Sequence, residues 1–185
     1  FVKSESSKFK YYYNKKNNWK ICCAFTGNST QTAGRLNKVK KLLKSEKRFF
    51  LTYGDGLANV NIEKTLKFFK KQKKLSLVTS VQPPARYGVL KIKKHLVKRF
   101  AEKIDNKNVW INGGFFIFDV EVLKFIKKNS DSIEYELLPL LVKKEELISF
   151  KHFGFWKAMD TLRDKINLQN EIKKKIPGWE KKLDD

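Results

Sequence analysis

The stretch Phe49-Phe50-Leu51-Thr52-Tyr53-Gly54-Asp55-Gly56 decides the fold. Its apolar half reads as a buried strand, and the strand stops at an aspartate flanked by glycines. A carboxylate presented from tightly turned backbone suits Mg²⁺, which takes one or two protein carboxylates and fills its other positions with water and phosphate oxygens. A second carboxylate, Asp160, lies in Gly154-Phe155-Trp156-Lys157-Ala158-Met159-Asp160-Thr161. The pair, as metal ligands, points to nucleotidyl transfer. Each also has a plainer reading. Gly-Asp-Gly is ordinary turn chemistry, and Asp160 could cap a helix beginning near Thr161.

Working outward, the pattern alternates strands and helices. Strands are predicted at Trp19–Phe25, read as a buried one, and at Phe49–Tyr53, Leu75–Gln82, Trp110–Phe118 and Leu147–Phe153. Helices are predicted at Leu36–Lys44, Asn61–Lys74, Val120–Lys128, Ile133–Lys143 and from Thr161 to Lys175. Gly88–Ile92 and Val97–Phe100 read as a hairpin. Residues 1–18 read as an irregular or edge segment. The order implies one α/β domain over 1–185 with a mostly parallel sheet. In such sheets ligands collect at the carboxyl ends of strands, where Asp55 falls.

Composition narrows the function classes. The net charge is +22, and all but five of the 41 basic residues are lysine. Specific phosphate and base recognition favours the planar arginine fork. The lysines are also spread along the whole chain, so they read as a solvated surface and not as a specific nucleic-acid interface. No apolar stretch approaches the roughly 20 residues of a membrane span. Adjacent Cys22 and Cys23 form neither a disulfide framework nor a metal knuckle, which fits a reducing cytoplasm. His95 and His152 show no triad or zinc spacing.

Further segments carry candidate chemistry beside plainer roles. Thr26-Gly27-Asn28-Ser29-Thr30-Gln31-Thr32-Ala33-Gly34-Arg35 offers hydroxyls and amides before a helix, suited to phosphate or a pyrimidine edge, or to capping. Arg86-Tyr87-Gly88 could approach a sugar or simply turn. Glu102-Lys103 could accept sugar hydroxyls and neutralise a phosphate, or form an exposed ion pair. Asn112-Gly113-Gly114 interrupts an apolar strand, and such glycines mark close approach of a ligand or another backbone.

Taken in order, five segments carry a resemblance. They are Thr30-Gln31-Thr32-Ala33-Gly34-Arg35-Leu36 (with Thr26 ahead of it), Leu51-Thr52-Tyr53-Gly54-Asp55-Gly56, Gln82-Pro83-Pro84-Ala85-Arg86-Tyr87-Gly88, Trp110-Ile111-Asn112-Gly113-Gly114-Phe115-Phe116, and Gly154-Phe155-Trp156 through Met159-Asp160-Thr161-Leu162-Arg163-Asp164-Lys165. From about Trp19 onward the chain resembles the sugar-nucleotide nucleotidyltransferases, most closely those that make CDP-glucose. The resemblance implies a Rossmann-like sheet flanked by helices and Mg²⁺-dependent transfer of a cytidylyl group from CTP to α-D-glucose 1-phosphate. Asp55 and Asp160 then resemble the Mg²⁺ ligands, Thr30, Arg35 and Gly54 the nucleotide contacts, and Lys103 the phosphate-binding lysine. Gly88, Glu102, Asn112 and Gly113 would surround glucose. The product would serve surface polysaccharides such as O-antigen, and homo-oligomers are expected by analogy.

Three departures stand out. Ala33 replaces the first of two usual glycines, and Ile104 stands where proline is usual. The family also opens with a strand and a glycine-rich loop carrying Arg, followed by a lysine; none of the nine glycines here forms that loop. This predicts an exposed edge or apolar face, and inactivity of the chain by itself. Other readings of the same residues are a catalytically dead sugar-nucleotide-binding or assembly domain, and a uridylyl- or thymidylyl-transferring relative.

Overall fold

The structure is a computed structural model and describes residues 2–6, 9–83, 89–101 and 109–181. Two compact units emerge, each assembled from separate stretches of chain: Phe1–Phe49 with Asp119–Glu146, and Phe50–Phe118 with Leu147–Asp185.

In the first unit, strands β1 (Val2–Ser6), β2 (Phe9–Asn14) and β3 (Trp19–Ala24) form an antiparallel sheet in that order. The aromatic run Phe9 to Tyr13 favours extended backbone. Asn18, at φ 55°, provides the left-handed turn residue before β3, and its side chain accepts a hydrogen bond from the Tyr13 hydroxyl at 2.7 Å. The apolar run at Trp19 marks a strand, as predicted, but not a buried one: Trp19 is 62% exposed. Periodicity identifies a short apolar strand without telling which sheet receives it.

Helix α1 (Thr32–Val39) continues into a 3-10 turn, Lys40–Leu43. A 3-10 turn at Val120–Phe125 is capped by Asp119, and a π-turn at Ile133–Leu137 leads into α3 (Leu138–Lys143). The buried side chains of this unit include Val122, Leu123, Ile126, Ile133, Leu137 and Leu141. Gly34 is demanded by packing, since a Cβ there would lie 2.3 Å from the Asn129 carbonyl oxygen.

The second unit is built on a four-stranded sheet. Its strands are β4 (Arg48–Thr52, which begins at the boundary), β6 (Ser76–Val81), β9 (Ile111–Asp119) and β10 (Leu147–His152), in the order β10-β6-β9-β4. The sheet is mixed: β10 runs parallel to β6, and β6 runs antiparallel to β9. A two-stranded ribbon pairs β5 (Gly56–Ala58) with β11 (Trp156–Ala158), and a hairpin pairs β7 (Val89–Lys93) with β8 (Leu96–Ala101).

Helix α2 (Ile62–Gln72) starts where the Asn61 side chain accepts from Lys64 N, and ends at Lys73 in the left-handed region. It buries Phe69 against Leu77 and Ile117, with Leu66, Phe68, Ile148 and Phe150 packed around them. An apolar opening of about 290 Å³ lies among Phe50, Leu51, Val60, Ile62, Phe115 and Ile117. Helix α4 (Leu162–Ile172) begins with a capping box made by Thr161 and Asp164.

Candidate active site

The glycine pair in β9 organises the site. Val78 pairs with Phe116 and Ser80 with Asn112, so β6 spends one residue where β9 spends three. Gly113, Gly114 and Phe115 therefore bulge opposite Thr79. Bulges of this kind use a glycine with positive φ, and Gly114 has φ +77°. A Cβ on Gly113 would lie 2.8 Å from the Thr79 carbonyl oxygen, and one on Gly114 would lie 2.9 Å from the Tyr53 ring. The close approach foreseen for this pair is thus an approach of backbone and aromatic rings.

The bulge turns its two carbonyls toward the two acid-bearing segments. Tyr53 N donates to Gly114 O at 3.3 Å, and Trp156 Nε1 donates to Gly113 O at 2.7 Å. Gly114 N donates in turn to the Asn112 side-chain oxygen at 2.8 Å. Beyond Tyr53 the chain turns through Gly54 and Asp55 into β5. Gly56 pairs with Ala158, and Met159 N donates to Asp55 O at 2.9 Å. The ladder ends with Asp55 on one strand facing Met159 on the other, and Asp160 is the next residue.

Both aspartates are exposed and line one cavity of about 270 Å³ together with Thr52, Tyr53, Asn112, Gly113 and Trp156. Thr161, and not Asp160, is the N-cap of α4. Two oxygen donors on one cavity wall fit a hard cation that leaves most positions for phosphate and water. Among the described residues no group of three or more His, Cys, Asp or Glu stands together as a metal cluster. Among the described residues Gly54 meets no neighbour within 4 Å of where its Cβ would stand, so none of them demands that glycine.

The ribbon is anchored from behind. Lys157 reaches Glu171 of α4 at 3.8 Å, and Lys174 Nζ donates to the same carboxylate at 2.6 Å. Glu171 is buried, and its carboxyl is held below the usual carboxylate range by the Lys174 hydrogen bond, which outweighs the opposing effect of burial; the Gly178 amide and Lys157 add to it. Phe155 packs edge-on against Trp179, over Gly178, where any Cβ would collide with it.

Thr30 and Arg35 come together in the first unit. Arg35 Nη1 donates to Thr26 Oγ1 at 2.6 Å, and the buried Thr30 hydroxyl donates to Thr26 O at 2.6 Å. Lys38, not singled out by the sequence, donates to Thr26 O at 2.8 Å and to Thr30 Oγ1 at 3.0 Å. Gly88, Glu102 and Lys103, together with Arg86 and Ile104, lie outside the described residues. Tyr53, Trp156 and Lys38 escaped the sequence reading. For Trp156 the signal was its place in the Gly-Phe-Trp segment; for Lys38 it was helical spacing from Arg35.

Comparison with known proteins shows the family. The sequence profile described as nucleotidyl transferase matches residues 2–175, and the chain belongs to that family. It is 38% identical over 161 residues to glucose-1-phosphate cytidylyltransferase of Salmonella typhimurium, a match covering 87% of this chain and 63% of that protein. It is 32% identical to mannose-1-phosphate guanyltransferase of Hypocrea jecorina, over 85% of this chain and 45% of that one. The chain thus spans less than two thirds of the length of these relatives. The crystal structure of HddC from Yersinia pseudotuberculosis shares the fold with a TM-score of 0.58 at 18% identity, over 80% of this chain and 64% of that one. No helix among the described residues is long and apolar enough to cross a membrane.

Proposed function

We propose that this chain carries the acid pair of a cytidylyltransferase that joins CTP and α-D-glucose 1-phosphate to give CDP-glucose and pyrophosphate. The observation that supports it most is the β5–β11 ribbon, which delivers Asp55 and Asp160 to one cavity in a chain 38% identical to a glucose-1-phosphate cytidylyltransferase. A phosphate oxygen of the sugar phosphate attacks the α-phosphorus of CTP in line. The bond from that phosphorus to the bridging oxygen breaks, and pyrophosphate leaves with the electron pair. Such transfers need positioning and charge neutralisation and no covalent enzyme intermediate.

Asp55 and Asp160 would hold Mg²⁺, which when bound neutralises charge on the phosphates. The uncovered backbone at Gly54 leaves room for the nucleotide beside Asp55. Asn112 and Gly113 line the same cavity and are assigned to the sugar side, with Gly88 and Glu102. Lys103 is assigned to the sugar phosphate, and Arg35 and Thr30 to the nucleotide. A homo-oligomeric, cytoplasmic enzyme supplying CDP-glucose to surface polysaccharide fits the same reading.

The experiment is titration of CDP-glucose with Mn²⁺ onto the chain and onto Asp55→Asn and Asp160→Asn. Asp55→Asn is expected to weaken Mn²⁺ about tenfold or more, the worth of a lost charged contact. Equal Mn²⁺ affinity in all three proteins would overturn the assignment. Preference for UDP- or dTDP-glucose would keep the acid pair and change the base.

A further inference from the structure

His152 is the last residue of β10 and only 4% exposed, and no step described above uses it. Its backbone pairs with Val81 at the end of β6. Its ring Nε2 lies 3.1 Å from the carbonyl oxygen of Phe155. A carbonyl oxygen only accepts, so Nε2 carries the hydrogen of the neutral ring and Nδ1 has none. The same carbonyl accepts from Asn59 N at 3.1 Å. Both of its lone pairs are therefore in use.

That carbonyl sits at the near end of the β5–β11 ribbon. Asn59 follows Ala58, and Ala58 pairs with Trp156, so the bond from Asn59 N extends the ladder by one rung. At the far end Met159 N bonds Asp55 O, and Asp160 comes next. Three residues per strand are too few to hold a two-stranded ribbon unaided, and its register decides what stands opposite Asp55. Trp156 ties the ribbon to β9 of the four-stranded sheet through Gly113 O, and His152 ties it to β10 through Phe155 O. A cavity of about 200 Å³ opens on the turn between them, bounded by Val81, His152, Gly154 and Trp156 among others. Close packing alone therefore does not fix that turn, and the hydrogen bond carries the constraint.

We propose that His152 is a positioning residue of the acid-pair site: by holding Phe155 O it sets the place and register of the ribbon, and so the position of Asp160 relative to Asp55. This rests on the acid-pair reading and deepens it. The imidazole acts through the backbone and touches no ligand.

The test follows Mn²⁺ binding in the presence of CDP-glucose, with urea unfolding beside it, on the whole chain and three variants. His152→Leu keeps much of the bulk and removes the donor, and is expected to weaken Mn²⁺ about threefold to tenfold, the worth of one hydrogen bond. His152→Gln, whose amide restores a donor, is expected to recover most of that affinity. Phe69→Leu, in the core beneath α2, controls for lost stability and is expected to change Mn²⁺ affinity less than about twofold. Nitrogen-15 NMR of the neutral ring is expected to find hydrogen on Nε2, the His152 signals being identified by their loss in His152→Gln. Hydrogen on Nδ1 instead overturns the proposal, whether or not His152→Leu folds. So does His152→Leu binding Mn²⁺ as well as Phe69→Leu does, or a loss that His152→Gln fails to recover. If Asp55→Asn weakens Mn²⁺ while His152→Leu does not, the inference about His152 falls and the acid-pair reading stands. If neither Asp55→Asn nor Asp160→Asn weakens Mn²⁺, the acid-pair reading falls, and this inference with it.

Discussion

Gly114 combines a left-handed backbone with the face of Tyr53 at 2.9 Å from where a Cβ would sit, so alanine there meets strain and a collision together. Gly114→Ala is expected to destabilise the protein by about 1–3 kcal/mol in urea unfolding. It should also move the Tyr53 end of the loop that carries Asp55. Trp156→Phe is gentler: the ring stays and the bond to Gly113 O goes. It should cost about 1 kcal/mol, and Mn²⁺ affinity should fall with it if the indole helps seat the ribbon. A fall in stability with no change in Mn²⁺ affinity would restrict Trp156 to packing.

At the scale of elements, the ribbon and α4 act as one support through Glu171. Its folded pKa lies below the usual carboxylate value because the ionised form is bonded by Lys174. The ionised carboxylate therefore stabilises the folded state at pH above the unfolded value near 4.5. That contribution is lost as pH falls through the lower folded value. Glu171→Gln should thus lower the melting temperature at pH 7 and narrow its gap to the unaltered chain as pH drops below 4.5. An unchanged gap across that range would remove Glu171 from the support.

Most elements of this kind were legible in the sequence. The long apolar runs at Phe49, Leu75, Trp110 and Leu147 gave the sheet, and Asn61 and Thr161 marked helix starts. The ribbon was not legible, because three residues per strand are too few to show an alternating pattern. The partner of Gly113 could not be foreseen either, since a glycine announces close approach without naming what approaches. The mixed pairing of β6 with β9 escaped for a similar reason: alternation of helix and strand favours parallel pairing but does not fix the direction of each strand. Asp55 and Asp160 were visible as residues, while their sharing of one cavity needed the backbone pairing of Gly56 with Ala158.

For the whole molecule, the charge of +22 sets a background against which any specific anion site must be measured. Lysines distributed along the chain should give weak binding to duplex DNA of any sequence, largely lost between about 50 and 200 mM salt. Binding that resisted salt, or that preferred a sequence, would contradict the solvated-lysine reading.

The most direct test of the acid pair is pyrophosphate release with Mg²⁺, glucose 1-phosphate and each of CTP, UTP, dTTP and GTP. It is best run on this chain with the Salmonella relative as a positive control. Release with CTP and with none of the other three is expected, abolished by Asp55→Asn and by Asp160→Asn. Release that survives both substitutions would contradict the account.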